Sequence, residues 1–230
     1  MKQIRLEQVS RHFGKHFALH RVDLTFKAGS ITAVVGANGA GKTTLLNILA
    51  TLDKPSSGKV SYDSFSWDSF ARRGRGLVGW VSHAPLVYPD LTGRENLSFY
   101  ADMHGLSSDA TEQDAWLERV ALTAAADKLV QTYSRGMVQR LTIARALLND
   151  PRLVILDEPL TGLDRSGRSE ITALFKELRD RGKILILTTH DLHSLAELCD
   201  DLVVLRKGKV AHKGNPTSAR DIIATYEAHA

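Results

Sequence analysis

The chain has 230 residues, 43% of them hydrophobic and 24% charged, which is enough for one sizeable domain with a subdomain inserted. Its 30 Lys+Arg against 26 Asp+Glu leave +4, scattered along the chain, too little to argue for a nucleic-acid partner. One cysteine, Cys199, excludes an internal disulfide, and no apolar run approaches the roughly 20 residues that cross a bilayer.

The opening MKQIRLEQVS has no apolar h-region, so no secretion signal is expected. Alternation at Ile4 and Leu6, and again at Val22, Leu24 and Phe26, predicts strands with one wet face. The run Ile31 to Val35 is apolar without alternation, as in a strand covered on both faces. Similar runs follow at 77–81 (LVGWV), 153–156 (LVIL) and 184–189 (ILILTT), and LVVL with KVAHKG flanks the Lys207-Gly208 turn like a hairpin.

Between the second and third runs lie about seventy mostly helical residues. There Thr92 and Glu95 have capping-box spacing, and Ser134 is placed to cap a helix running to about Leu148. The alternation of strands and helices predicts a parallel α/β core with a helical insertion at about 84–148. Cys199 and the tryptophans at 67, 80 and 116 read as packing residues. His12, His16 and His20 are spaced by four, but Gly14 breaks any helix there, so solvated side chains are expected rather than a metal site.

Directly after the first buried run stands G-x-x-x-x-G-K-T, from Gly36 through Ala37, Asn38, Gly39, Ala40, Gly41 and Lys42 to Thr43, followed by Thr44. Glycines let successive N–H groups turn toward phosphate oxygens, and the helix that follows adds its positive end. Lys42 is expected to reach the β- and γ-phosphates and the Thr43 hydroxyl to hold Mg²⁺. A second apolar strand ends in Asp157-Glu158, at the carboxyl edge where such sheets bind ligands. Asp157 is expected to meet Mg²⁺, and Glu158 to polarise a water attacking the γ-phosphate.

With these motifs in order, the chain resembles the ATP-binding subunits of ABC transporters over nearly its whole length. TYSRGMVQRLTIARALL resembles the family's signature segment, TGLD (161–164) its D-loop and TTHD (188–191) its switch-histidine segment. The resemblance implies a single domain, 1–230, with a RecA-like P-loop core, an N-terminal antiparallel β subdomain and an inserted helical subdomain. It implies an ATPase in which two subunits, here a homodimer, trap ATP head to tail. Phe13 would lie under adenine and His190 would contact the γ-phosphate. Ser134, Arg135, Gly136 and Met137 of the signature, with Asp164, would act across the dimer. Arg135 and Met137 replace the family's commonest Gly and Gln.

The resemblance also implies membrane permease partners, a peripheral place on the cytoplasmic face of the membrane, and no nucleic acid. His83 falls where most of the family has the glutamine that couples the ATP site to the permease. GWVSHAP and LTGRENLSFY resemble the haem exporters of c-type cytochrome maturation. The alternatives are a drug or other small-molecule exporter and, ranked lower, a soluble ABC ATPase acting on nucleic acid. A P-loop kinase or GTPase would lack the signature helix and TGLD.

Overall fold

A computed structural model describes residues 1–106 and 110–229. The chain opens with an antiparallel hairpin, β1 (Gln3–Phe13) and β2 (His16–Lys27). Ile4 faces Phe26, Leu6 faces Leu24 and Val9 faces Val22 across it, all buried, which is the wet-and-dry alternation read from the sequence. β3 (Ser30–Val35) runs into the glycine loop, and α1 (Lys42–Leu49) follows.

β4 (Ser57–Tyr62) and β5 (Phe65–Ser66) complete a four-stranded sheet of order β2-β1-β4-β5. Neither strand carries a legible pattern, because SGKVSYDSFS buries only Val60 and Tyr62. Nor did α2 (Trp67–Arg73), which Ser66 caps by accepting the Ser69 N–H at 3.3 Å. Trp67 is half-buried, with its indole N–H on the Ile48 carbonyl at 2.9 Å.

β6 (Val78–Val81) begins one residue later than the apolar run, since Leu77 closes a 3₁₀ turn and stays exposed. Beyond it come α3 (Gly93–Met103), α4 (Ala110–Arg119) and α5 (Arg135–Leu147). The capping box is present in both directions: Thr92 Oγ1 accepts from Glu95 N at 3.2 Å, and Glu95 Oε2 from Thr92 N at 2.8 Å. We expect Thr92→Ala to cost about 1 kcal/mol, the usual worth of an N-cap, read as a lower urea midpoint at unchanged slope.

The chain then alternates through β7 (Leu153–Asp157), α6 (Arg165–Asp180), β8 (Ile184–Thr188), α7 (Leu192–Leu195), β9 (Asp201–Arg206), β10 (Lys209–Gly214) and α8 (Ala219–His229). The second sheet has the order β10-β9-β3-β8-β7-β6 and is parallel except for β10 at its edge. Its central strands are apolar throughout because both faces are covered. Ile31, Ala33, Val154, Leu156, Leu185 and Leu187 pack with α5 and α6. Val34, Leu153, Ile155, Ile184 and Ile186 pack with α1 and the first sheet. This is the P-loop architecture expected, an antiparallel β subdomain beside a mainly parallel core. Cys199 is buried and free, just past the turn after α7, and burial pushes its thiol up to about 12, so it is an inert packing residue.

Candidate functional site

The loop from Gly36 to Gly41 is shaped by what surrounds it. A Cβ at Gly36 would lie 2.3 Å from the Leu205 carbonyl oxygen, and one at Gly41, at φ 105°, would lie 2.4 Å from that of Ala18. Side chains are thus excluded where β9 and β2 press against the loop. Gly208 N donates to Ala40 O at 3.0 Å, so the β9–β10 turn pins the loop from behind. No side chain caps α1, which leaves its first N–H groups for an outside acceptor.

Lys42 curls over this loop, donating to the carbonyls of Gly36 (2.7 Å) and Ala37 (3.2 Å). Burial lowers its pKa from the ordinary lysine value, and the charges of Glu158 and Asp157 oppose that shift. The result is a partly desolvated cation at the head of a helix with no side-chain cap, an arrangement suited to an anion of high charge.

The carboxylates arrive from the opposite wall. Asp157 closes β7 and accepts from Thr188 Oγ1 at 2.5 Å. Glu158 follows with φ 55°, a left-handed turn held by its N–H, which reaches Thr188 O and Oγ1 at 3.2 Å. Its Oε1 is buried and has no hydrogen-bond partner among the described residues. His190 Nε2 lies 3.2 Å from it but off the hydrogen-bonding direction, so the pair is in contact without being satisfied. The other oxygen, Oε2, accepts from His190 N and Thr161 Oγ1, each at 3.4 Å.

Between these walls lies a cleft of about 500 Å³. It brings Asn38, Gly39, Gly41, Lys42, Thr43 and Thr44 together with Asp157, Glu158 and His190, and adds Phe13 and His83. Thr43 and Asp157 offer only oxygen donors beside the lysine, which fits Mg²⁺. Phe13 is 51% exposed at the end of β1 with the Arg11 guanidinium 4.6 Å over its ring, so it presents aromatic surface at the cleft's mouth.

The sequence missed several members. His16, paired with Phe13 across the hairpin, and Ala18 also line the cleft. The expectation of solvated histidines is corrected at His20, which is half-buried against Phe17 at 4.9 Å and whose Nδ1 is buried without a partner among the described residues. Among the described residues no group of three or more His, Cys, Asp and Glu side chains is placed to hold a metal ion.

The signature residues are elsewhere. Ser134 is exposed and caps α5, accepting from Met137 N at 3.3 Å. Asp164 is exposed and caps α6, accepting from Gly167 N at 2.9 Å. Neither these nor Gly136 and Met137 line the lysine cleft. Arg135 lines an adjoining recess with His83, Asp157 and Glu158. Its side chain also lies on Gly162, where an added Cβ would be 2.9 Å from Arg135 Cγ, so the start of α5 and the TGLD turn are packed as one unit.

His83 is exposed and lines both the cleft and this recess, so its ring stands beside the Asp157-Glu158 corner rather than in the core. The loop after it is held by side chains that the pattern did not single out. Buried Asn96 accepts from Tyr88 N at 2.7 Å and donates to the carbonyls of Tyr88 (3.0 Å) and Thr92 (2.9 Å). Tyr100 donates to Leu86 O at 2.6 Å, and Arg145 to Trp80 O at 2.7 Å.

Comparison with known proteins agrees with this geometry. A family model described as ABC transporter matches residues 19–161. An uncharacterized ABC transporter ATP-binding protein of Bacillus subtilis, YdbJ, is 38% identical over 90% of this chain and 67% of its own length. The Nod factor export ATP-binding protein I of Burkholderia lata is 38% identical over 93% of this chain and 71% of its own. A dimeric ATP-binding cassette in a post-hydrolysis state, bound to ADP and Pi, superposes with a TM-score of 0.83 at 28% identity, covering 92% of this chain and 98% of that one.

Proposed function

The chain belongs to the ABC transporter family, as an ATP-binding cassette and hence an ATPase, and from that membership we propose that it drives a small-molecule exporter as a homodimer. The observation that carries the dimer is the separation of Ser134 and Gly136 from the chain's own lysine cleft. Ser134, exposed at the start of α5, and half-buried Gly136 beside it are available to the cleft of a second copy, where the helix N–H groups that the Ser134 cap leaves free suit a γ-phosphate. Asp164, exposed at the start of α6, would lie at the same seam.

Within each cleft Phe13 stacks on the base, the loop from Gly36 to Thr44 wraps the phosphates, and Lys42 holds their charge. Thr43 and Asp157 would hold Mg²⁺, which would supply positive charge beside the phosphates. Glu158 takes the proton of the attacking water, and His190, in contact with Glu158, keeps that water and the γ-phosphate aligned. The domain is read as 1–230 with its helical insertion at about 84–148. No helix among the described residues is long and apolar enough to cross a membrane. On the family reading, permease subunits supply the spanning part and this chain sits on the cytoplasmic face.

The exporter reading draws on relatives named for Nod factor export. The narrower reading, haem export for c-type cytochrome maturation, rests on GWVSHAP and LTGRENLSFY alone, whereas the relatives named for Nod factor export are compatible with the small-molecule alternative. Purification from detergent extracts tests the assignment: recovery with an integral membrane protein is expected. Recovery with ribosomes or DNA, and never with a membrane protein, would overturn it.

His83 is proposed to stand in for the coupling glutamine, since neutral imidazole offers one donor and one acceptor as an amide does in a single contact. His83→Gln is expected to keep basal hydrolysis. His83→Ala is expected to keep nucleotide affinity while losing most stimulation by the permease. Equal stimulation of His83→Ala and wild type, measured in the reconstituted complex, would remove the assignment.

A further inference from the structure

A second cavity, of about 350 Å³, opens at the other end of the core sheet. It is bounded by Leu77 and Arg152, which precede β6 and β7, whereas Asp157 and Glu158 end and follow β7. The five-residue strand between puts it roughly 16 Å or more from the nucleotide cleft. Its volume lies within the range of small-molecule sites, on the order of 300–1,000 Å³.

The walls are aromatic. Tyr62 and Phe70 stack at 3.8 Å with their planes 8° apart, and Phe65 stands half exposed beside them. The Tyr62 hydroxyl is already committed to the Leu49 carbonyl at 2.8 Å, and with Tyr62 1% and Phe70 3% exposed the pair is a packed, unreactive floor, so Phe65 is the ring with open surface. A Cβ at Gly74 would lie 2.3 Å from the Phe70 ring, so the absence of one lets that ring lie flat against the backbone at the cavity's back.

The rim is cationic. Arg73, in the last turn of α2, and Arg152 both line the cavity, and neither side chain has a hydrogen bond or ion pair among the described residues. The one carboxylate present, Asp63, is occupied by the N–H groups of Lys2 (2.8 Å) and Gln3 (2.9 Å). Burial would raise its pKa, but those N–H groups and the nearby Met1 ammonium and Lys2 prevail and keep it low, so it stays an anion already served. Two guanidinium groups, one on α2 and one in the segment before β7, therefore face solvent at the cavity's rim with no partner among the described residues. Guanidinium forks are shaped for carboxylate, sulfonate or phosphate oxygens.

We propose that this cavity binds a small amphipathic aromatic anion, its ring against the exposed face of Phe65 over the packed Tyr62–Phe70 floor and its acid group between Arg73 and Arg152. The site is independent of the nucleotide cleft, and its ligand would reach the sheet from the edge opposite ATP.

The probe is anilinonaphthalene sulfonate, which has that chemistry, titrated by fluorescence into the folded protein in saturating MgADP so that the lysine cleft is closed to it. Saturable binding at one site per chain is expected. Arg73→Ala with Arg152→Ala should weaken it by about tenfold or more, given the worth of hydrogen bonds to charged groups. Arg72→Ala removes a charge from the same helix outside the cavity and should leave affinity within about twofold. Phe65→Ala should weaken binding while the thermal midpoint stays put, because Phe65 is half exposed. No saturable binding in MgADP, or equal affinity in the double arginine variant and wild type, would overturn the proposal.

Discussion

Glu158→Gln is expected to bind ATP as the wild type does and to hydrolyse it about 10²–10⁴-fold more slowly, the range a general base supplies. The substitution keeps shape and removes only basicity. The backbone at 158 is held by Thr188 whatever the side chain, so the left-handed turn that aims position 158 into the cleft survives. Oε1 is the atom with something to lose: it is buried and lacks a hydrogen-bond partner among the described residues, in a side chain that borders the lysine cleft. A buried carboxylate oxygen without a donor is costly unless a donor arrives, and an attacking water is such a donor.

In the variant an amide can rest against His190 Nε2 without charge, so folding should not suffer. Blocked turnover with intact binding means that the dimer closed around ATP accumulates. It should appear by size exclusion with MgATP and not with MgADP, while phosphate release falls by the factor above. Hydrolysis at the wild-type rate would show that another group activates the water.

The parts of this site that were legible in sequence are those where local chemistry is dense. GANGAGKT between a buried strand and an apolar helix needs no tertiary information, because glycine, lysine and threonine each answer a local demand of a phosphate loop. Asp157 and Glu158 were legible because a strand covered on both faces must end at its carboxyl edge. His83 was legible only by its offset from LTGREN, and nothing local says that its neighbours are Glu158 and Arg135.

What escaped depends on distant chain. Arg135 lying on Gly162, Gly208 bonded to Ala40 and Thr188 bonded to Asp157 each join segments more than 25 residues apart. β4, β5 and α2 escaped because they are short and half-solvated, so period-2 and period-3.6 patterns have too few buried positions to register. The second cavity is built largely from those elements. Leu77 erred in the other direction: an apolar residue contiguous with a strand stayed outside because β6 is the edge of its sheet, where Val78 and Trp80 are themselves only half-covered.

Lys42→Ala should abolish tight nucleotide binding without unfolding the chain, and both halves of that expectation follow from where the ammonium sits. Against the phosphates it is the only cation among the residues lining the cleft apart from its histidines, and it stands at the head of α1. Truncating one partner of a hydrogen-bonded charge pair costs about 2–5 kcal/mol, so the ATP dissociation constant should rise on the order of 30- to several-thousand-fold. The folded protein alone gains little from the charge: burial works against it strongly enough to lower its pKa despite two neighbouring carboxylates, and its direct partners are two loop carbonyls. Removing a half-desolvated cation that the fold does not favour should leave the nucleotide-free melting temperature close to that of the wild type. The difference appears on adding MgATP, which raises the wild-type midpoint by mass action and should fail to raise that of the variant. Equal ATP-induced shifts in the two proteins would show that Lys42 does not hold the phosphates. A lower midpoint before any nucleotide is added would show that the ammonium serves the loop rather than the ligand.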